Sequence, residues 1–197
     1  MVNVHEHIER YFLSLSTTAG RLDRASIATV ITLLLKALQE QRQIFVMGNG
    51  GSGSTASHFL NDFNKSACVE SPQKFKVICL NDNIPILLAI ANDLSYDMVF
   101  VEQLKNYLKA GDLVIGISGS GNSRNIIRAI DYANEHGAVT IGLCGYSGGL
   151  LKQRAAYSIH VPIDDMQISE DLHLSLMHLM MRAMQAAIKE GQAEGGH

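Results

Sequence analysis

The sequence predicts an α/β fold: a doubly wound, five-stranded parallel sheet flanked by helices, preceded by an N-terminal helical hairpin. Three observations lead there. Five short apolar runs rich in β-branched residues lie at 44–47, 75–80, 113–117, 140–143 and 157–161. Helix-like stretches separate them, and strands alternating with helices make a parallel sheet covered on both faces. A hydrophobic content of 47% with 18% charged residues in 197 residues supplies one large core and excludes a disordered chain.

Along the chain, Val4, Ile8, Phe12 and Leu15 recur at three- and four-residue spacing and predict a first helix. From Ser26 a second helix places Ile27, Val30, Ile31, Leu34, Leu35 and Leu38 on one broad face, with Asp23 or Ser26 as its cap. A face that wide calls for burial against another element or another subunit. Between the strands, helices are expected at 55–64, at 84–92 running on through 100–108, and at 125–136. A last helix at 169–189 carries Met177, Met180, Met181 and Met184, a core or subunit-interface stripe. With no linker in the pattern, 1–197 reads as one domain: helices at 1–42, the parallel core at 43–165 and the final helix at 166–190. The tail GQAEGGH is expected to fray.

Composition narrows the function. A net charge of −3 lacks the basic footprint of a nucleic-acid binder. The apolar runs are far shorter than the ~20 residues of a membrane span. The first residues, MVNVHEHIERYF, carry charges throughout and have no secretory apolar segment. Cys68, Cys79 and Cys144 are odd in number and widely spaced, which fits neither a disulfide framework nor a zinc pattern and points to a cytoplasmic, reducing address; Cys79 and Cys144, in apolar strand-like runs, read as buried small side chains.

Two loops follow a strand and open a helix: GNGGSGS at 48–54 and SGSGNS at 118–123. Glycines allow close backbone approach, and hydroxyls with free N–H groups at a helix start favour an anion. A phosphate can be held there without a lysine. Gly48, Gly50 and Gly53 also match G-x-G-x-x-G, but a dinucleotide site needs an acidic residue about 20 residues on. The next strand ends later, at Leu80-Asn81-Asp82, and the serine-rich second loop has no place in that scheme; no nucleotide cofactor is expected.

The segments GNGGSGSTASHF, AIANDLSYD, GISGSGNSRNIIRAI, TIGLCGYSGG and EDLHLSLMH occur in that order. Together they resemble the sugar isomerase (SIS) domain superfamily over nearly the whole chain, and within it the phosphoheptose isomerases. The resemblance implies a flavodoxin-like parallel sheet and a homotetramer with active sites at subunit interfaces. The implied activity interconverts sedoheptulose 7-phosphate and D-glycero-D-manno-heptose 7-phosphate through a cis-enediol. It implies that Ser118, Gly119, Ser120 and Ser123 bind the phosphate and that Asn49, Gly50, Gly51, Ser52, Asn92, Asp93 and Glu170 contact substrate. It further implies zinc held by His58, Asp62, Glu170 and His178, with Asp62 and His178 as the acid/base pair. Asp62 stands where the family pattern has Glu, and Glu170 where it has Gln.

Moving a carbonyl between C1 and C2 requires one group for the carbon-bound proton and another for the oxygen protons. His58 and Asp62 share a helix face at i, i+4. Glu170 and His178 are eight residues apart, roughly 12 Å of helix rise. For all four to meet one ion, Glu170 must precede the regular helix or one ligand must come from a neighbouring subunit; otherwise only three are ligands. His173 is a substitute ligand or, on the usual behaviour of a lone helical His, a buried structural residue. His5, His7, His136, His160 and His197 receive no role. Competing expectations are an isomerase of another sugar phosphate, and a non-catalytic SIS tetramer that binds a phosphosugar or a protein partner, as a replication-initiation regulator does.

Overall fold

The computed structural model describes residues 3–69 and 71–194. Five parallel strands, β1 (Gln43–Gly48), β2 (Lys76–Cys79), β3 (Leu113–Ser118), β4 (Val139–Cys144) and β5 (Tyr157–His160), stand in the order β2-β1-β3-β4-β5. The direction of winding reverses between β1 and β3, which pair in register from Ile44↔Leu113 to Gly48↔Ile117. In open α/β sheets the crevice at such a reversal, beyond the strands' carboxyl ends, is where ligands bind. Both Gly-rich loops leave the sheet there.

Alternation along the strands builds two cores. Ile44 and Val46 of β1 join Ile115, Ile117, Ile141 and Leu143 on one face. Phe45 and Met47 join Val114 on the other. The first face is covered by α1 (Val4–Gly20), α2 (Arg24–Gln39), α3 (Gly50–Asn61) and α8 (Met166–Glu194). The second is covered by α4 (Ile84–Asp93), α5 (Val101–Tyr107), α6 (Arg124–Glu135) and α7 (Gly149–Arg154).

Local signals explain most boundaries. Asp23, not Ser26, caps α2 by accepting from the Ala25 N–H at 3.0 Å. The 27, 30, 34 and 38 side chains are buried, as the wide apolar face requires. Asp165 accepts from the Ile168 N–H at 3.0 Å at the start of α8. Met177, Met180 and Met184 of the stripe are buried in the first core. Of the tail expected to fray, 191–194 continue α8 and 195–197 lie outside the described residues.

Three expectations need correction. The third helix begins at Gly50, inside the motif read as a loop. Glycine's low helix propensity hid that start, and burial of Ser52, Gly53, Thr55, Ala56 and Phe59 overrides it. The single helix expected through 84–108 is broken: Leu94 leaves helical geometry, Ser95 is extended, and a 3₁₀ turn at Tyr96–Met98 precedes α5. The break sends the Tyr96 hydroxyl to Asn49. Finally, α7 carried too short a pattern to be foreseen. The apolar positions of α1 are also largely outside: Val4, Ile8 and Phe12 are exposed.

All three cysteines are free and buried. Burial pushes the Cys79 and Cys144 thiols up to about 11, so both behave as small apolar side chains. No helix among the described residues is long and apolar enough to cross a membrane.

The first core turns on Phe63, which stacks on Phe59 at 3.9 Å between ring centroids and meets Phe75 edge-on at 5.2 Å. All three rings are buried. Phe63→Ala is expected to lower unfolding stability by about 3–5 kcal/mol, read from the shift of the urea denaturation midpoint.

Candidate active site

The two loops and the first turns of α8 enclose a cavity of about 260 Å³. Asn49, Gly50, Gly51 and Ser52 line it from the first loop, and Ser118, Gly119, Ser120 and Ser123 from the second. Met166 and Glu170 close it from α8. Nine of the residues expected to bind substrate are therefore brought together. Asn92 and Asp93 are not. They sit at the end of α4, where the Asn92 amide donates to Asp93 at 2.8 Å, and they do not line the cavity.

Asn81 and Asn125, to which the sequence reading gave no role, shape the loops together with Asn49. Asn81 brackets Gly48, accepting from its N–H at 3.1 Å and donating to its carbonyl at 2.7 Å. Asn49 and the buried Asn125 exchange two amide hydrogen bonds of 2.9 Å, tying the first loop to the start of α6. The Tyr96 hydroxyl donates to the same Asn49 oxygen at 2.8 Å. Asn49 thus has its carbonyl and amide engaged in holding the two loops at a fixed separation. Paired asparagines far apart in sequence leave no local signature.

Helix ends give the cavity its electrostatics. Neither Asn49 at the start of α3 nor Ser123 at the start of α6 makes a side-chain cap bond. The cap residues leave first-turn N–H groups without a side-chain partner, although in α6 Asn125 Oδ1 accepts from the Ile126 N–H at 3.0 Å, and each helix presents the positive end of its dipole. Two such ends at one cavity, with the Ser118 and Ser123 hydroxyls 3.1 Å apart at its wall, make an anion site.

Close approach of α8 explains two of the glycines. A Cβ at Gly119 would clash with the Met166 sulfur, and a Cβ at Gly51 would clash with the Glu170 carboxylate. Only glycine lets both α8 side chains reach the loops.

A second constellation lies further along the same helix pair. His58 of α3, Asp62 just beyond it, and His178 of α8 converge. The two Nε2 atoms are 3.0 Å apart, and they lie 3.4 Å (His58) and 3.7 Å (His178) from the Asp62 carboxylate. Tetrahedral coordination at Zn–N and Zn–O distances of about 2.0–2.1 Å sets neighbouring ligand atoms about 3.3 Å apart. These three fit a small metal ion, with a fourth position open. Asp62 opens a π-helical turn, Asp62–Ser66, of the kind frequent at functional sites, and its carboxyl is buried beneath two half-exposed imidazoles.

Glu170 lies inside α8, not ahead of it, and does not join this cluster within the chain. Gly51 meets Glu170 at one end of α3 and α8, and His58 meets His178 at the other. The helices therefore run parallel, and the cluster sits about 10–12 Å along them from the cavity wall. His173 is no substitute ligand either. It is wholly buried beside the Cys144 backbone, with neither ring nitrogen hydrogen-bonded among the described residues.

Comparison with known proteins agrees with this architecture. The family described as SIS domain matches residues 10–145. The chain belongs to the SIS-domain family. Curated relatives of this SIS protein include the phosphoheptose isomerase of Thermodesulfovibrio yellowstonii, 35% identical over 164 residues, or 83% of this chain and 81% of that one. The phosphoheptose isomerase of Citrifermentans bemidjiense is 32% identical over 180 residues, 91% and 93% of the two chains. Among solved structures, the phosphoheptose isomerase of Neisseria gonorrhoeae superposes with a TM-score of 0.86 at 27% identity, covering 93% of this chain and all of that one.

Two outcomes follow. With zinc as the probe ion, isothermal titration is expected to show at least ~100-fold weaker binding to His178→Ala than to the parent chain, since one of the three groups that could hold a metal is lost. Burial pushes the His173 imidazole down from 6.5 to about 4, so it stays neutral when folded while the unfolded chain takes up a proton. Its contribution to stability is present above pH 6.5 and lost as pH falls toward 4, by up to about 3 kcal/mol. In urea unfolding at pH 7 and pH 4.5, His173→Leu should show a smaller acid loss than the parent chain.

Proposed function

We propose that this protein is an aldose–ketose isomerase of a phosphorylated sugar, interconverting sedoheptulose 7-phosphate and D-glycero-D-manno-heptose 7-phosphate. The observation that carries the reading is the single cavity faced by two uncapped helix starts, serine hydroxyls and a carboxylate. The phosphoheptose isomerase names of relatives at 32–36% identity support the substrate.

In this reading the phosphate sits against Ser118, Gly119, Ser120 and Ser123 at the start of α6. The sugar chain runs toward Gly50, Gly51 and Ser52. Zinc is the metal assigned to His58, Asp62 and His178; when bound, it would polarise a carbonyl oxygen as a Lewis acid. Asp62 and His178 are the acid/base pair, one for the carbon-bound proton and the other for the oxygen protons. Because the cluster stands about 10–12 Å from the cavity within one chain, the pair that serves a given cavity comes from a neighbouring copy. That agrees with a homotetramer whose active sites lie at subunit interfaces. Its surface is supported by exposed Val4, Ile8, Phe12 and Leu13 on α1 and by exposed Leu179 beside His178. The three reduced, buried thiols support a cytoplasmic address, and the shared cores support one domain.

The test is turnover of sedoheptulose 7-phosphate by the purified chain, followed by NMR, before and after chelation and with zinc restored. Zinc-dependent turnover is expected, with Asp62→Asn and His178→Ala each slowing it by at least ~10²-fold. Absence of turnover in every state would remove the heptose substrate. Tight binding of the phosphosugar without turnover would favour a non-catalytic member of the family.

A further inference from the structure

The stretch GYSGG at 145–149, which follows β4, does not line the cavity and has no part in the site described above. It packs behind the second Gly-rich loop through three hydrogen bonds. The Gly145 N–H donates to the Gly119 carbonyl at 2.8 Å, the Leu151 N–H to the Gly121 carbonyl at 2.9 Å, and the Leu150 N–H to the Asn122 side-chain oxygen at 3.1 Å. A Cβ at Gly145 would clash with the Ser169 hydroxyl, so this approach requires glycine. In a planar trans peptide the N–H points opposite the carbonyl. The Gly145 bond therefore turns the Ser120 N–H away from Gly145, toward the side of the loop that lines the cavity. Among the described residues that N–H donates to nothing.

Tyr146, next in the chain, has a φ of +47°, a left-handed conformation that is rare for a bulky residue. Such a residue persists only where its surroundings hold it. Its N–H donates to the Ile163 carbonyl at 3.0 Å, and its carbonyl meets His160 Nε2 at 2.8 Å. His160 ends β5, and its other ring nitrogen, Nδ1, lies 3.1 Å from Lys152 Nζ on α7. A carbonyl only accepts, so Nε2 carries the hydrogen; an ammonium only donates, so Nδ1 is bare. Both neighbours thus select the same tautomer. The stem of Lys152 lies against Gly148 in the same loop.

We infer that His160, to which the sequence reading gave no role, is a positioning residue for the phosphate of the substrate. Held in one tautomer by Lys152, it fixes the carbonyl of the strained Tyr146. That keeps Gly145 against Gly119, and Gly119 in turn aims the Ser120 N–H at the phosphate. The inference rests on the anion-site reading of the cavity. Its effect falls on binding rather than on the chemical step, because the phosphate passes through the isomerisation unchanged. An interaction made equally in the ground state and the transition state sets KM and leaves kcat alone.

The test compares the full-length parent with H160L, H160Q, Y146G and the Y146G/H160L double variant. Inorganic phosphate is titrated and followed by phosphorus NMR, and turnover of sedoheptulose 7-phosphate is measured with zinc present. H160L should weaken phosphate binding and raise KM by roughly tenfold, the loss of one charge-assisted hydrogen bond, with kcat within about threefold of the parent. H160Q keeps an N–H near the place of Nε2–H and should stay within about threefold of the parent in both readings. Glycine takes a positive φ without strain, so in the Y146G background H160L should cost less than about threefold. Phosphate affinity of H160L within about threefold of the parent would overturn the inference. So would H160Q as weak as H160L, a fall in kcat at unchanged KM, or a full H160L penalty that persists in Y146G. A parent chain that binds no inorganic phosphate would instead overturn the anion-site reading. A parent that binds phosphate without turning over the sugar would remove the isomerase reading alone, and the phosphate titration would then decide the inference.

Discussion

The close contact between the first turns of α8 and the two Gly-rich loops is the constraint on which the rest of the site depends. Met166 on Gly119 and Glu170 on Gly51 lie one turn apart on one helix and reach loops nearly 70 residues apart in the chain. A β-carbon at either glycine would displace the Met166 thioether or the Glu170 carboxylate from its place at the cavity wall. Further along, α3 and α8 pack in parallel as far as the metal-type cluster, where His178 meets His58. The Gly-rich loops, the carboxylate and the cluster are therefore held by the same helix pair, anchored below by Leu172, Leu176, Met180 and Met184.

The electrostatics follow from topology. Reversal of winding between β1 and β3 points the starts of α3 and α6 at the same crevice, and the reciprocal Asn49–Asn125 amide bonds hold them there. Among the described residues no lysine or arginine lines the cavity. Positive potential instead comes from backbone dipoles that cannot be misplaced by rotamer changes. A site built this way tolerates a carboxylate at its wall, because the α3 start is an electrostatic counterpart for it.

Two histidines on one helix have opposite fates for a physical reason. His178 points to the open edge of α8, where water keeps the imidazole solvated and Asp62 lies within reach. His173 points into the sheet side, where burial holds it neutral. Spacing along the helix separates them by five residues, about 140° around the axis. That rotation, not residue type, assigns one to metal-type chemistry and the other to the interior.

The sheet, its parallel sense and both Gly-rich loops were legible in the sequence, because each depends on local signals: period-two and period-3.6 apolar patterns, and glycine and serine at strand ends. His58, Asp62 and His178 entered from the family resemblance, and the i, i+4 spacing added only that the first two share a helix face. The helical start at Gly50 was not legible, since propensity argues against it and only packing supports it. Neither was the break at Leu94, which serves a hydrogen bond between Tyr96 and Asn49 across 47 positions. The separation of Glu170 from the metal-type cluster was likewise decided in three dimensions. Sequence places both on one helix, but only the packing of α8 against α3 shows that one end meets Gly51 and the other His58. Local chemistry is written residue by residue. Which groups share a site depends on contacts between distant segments, and those exist only once the chain has folded.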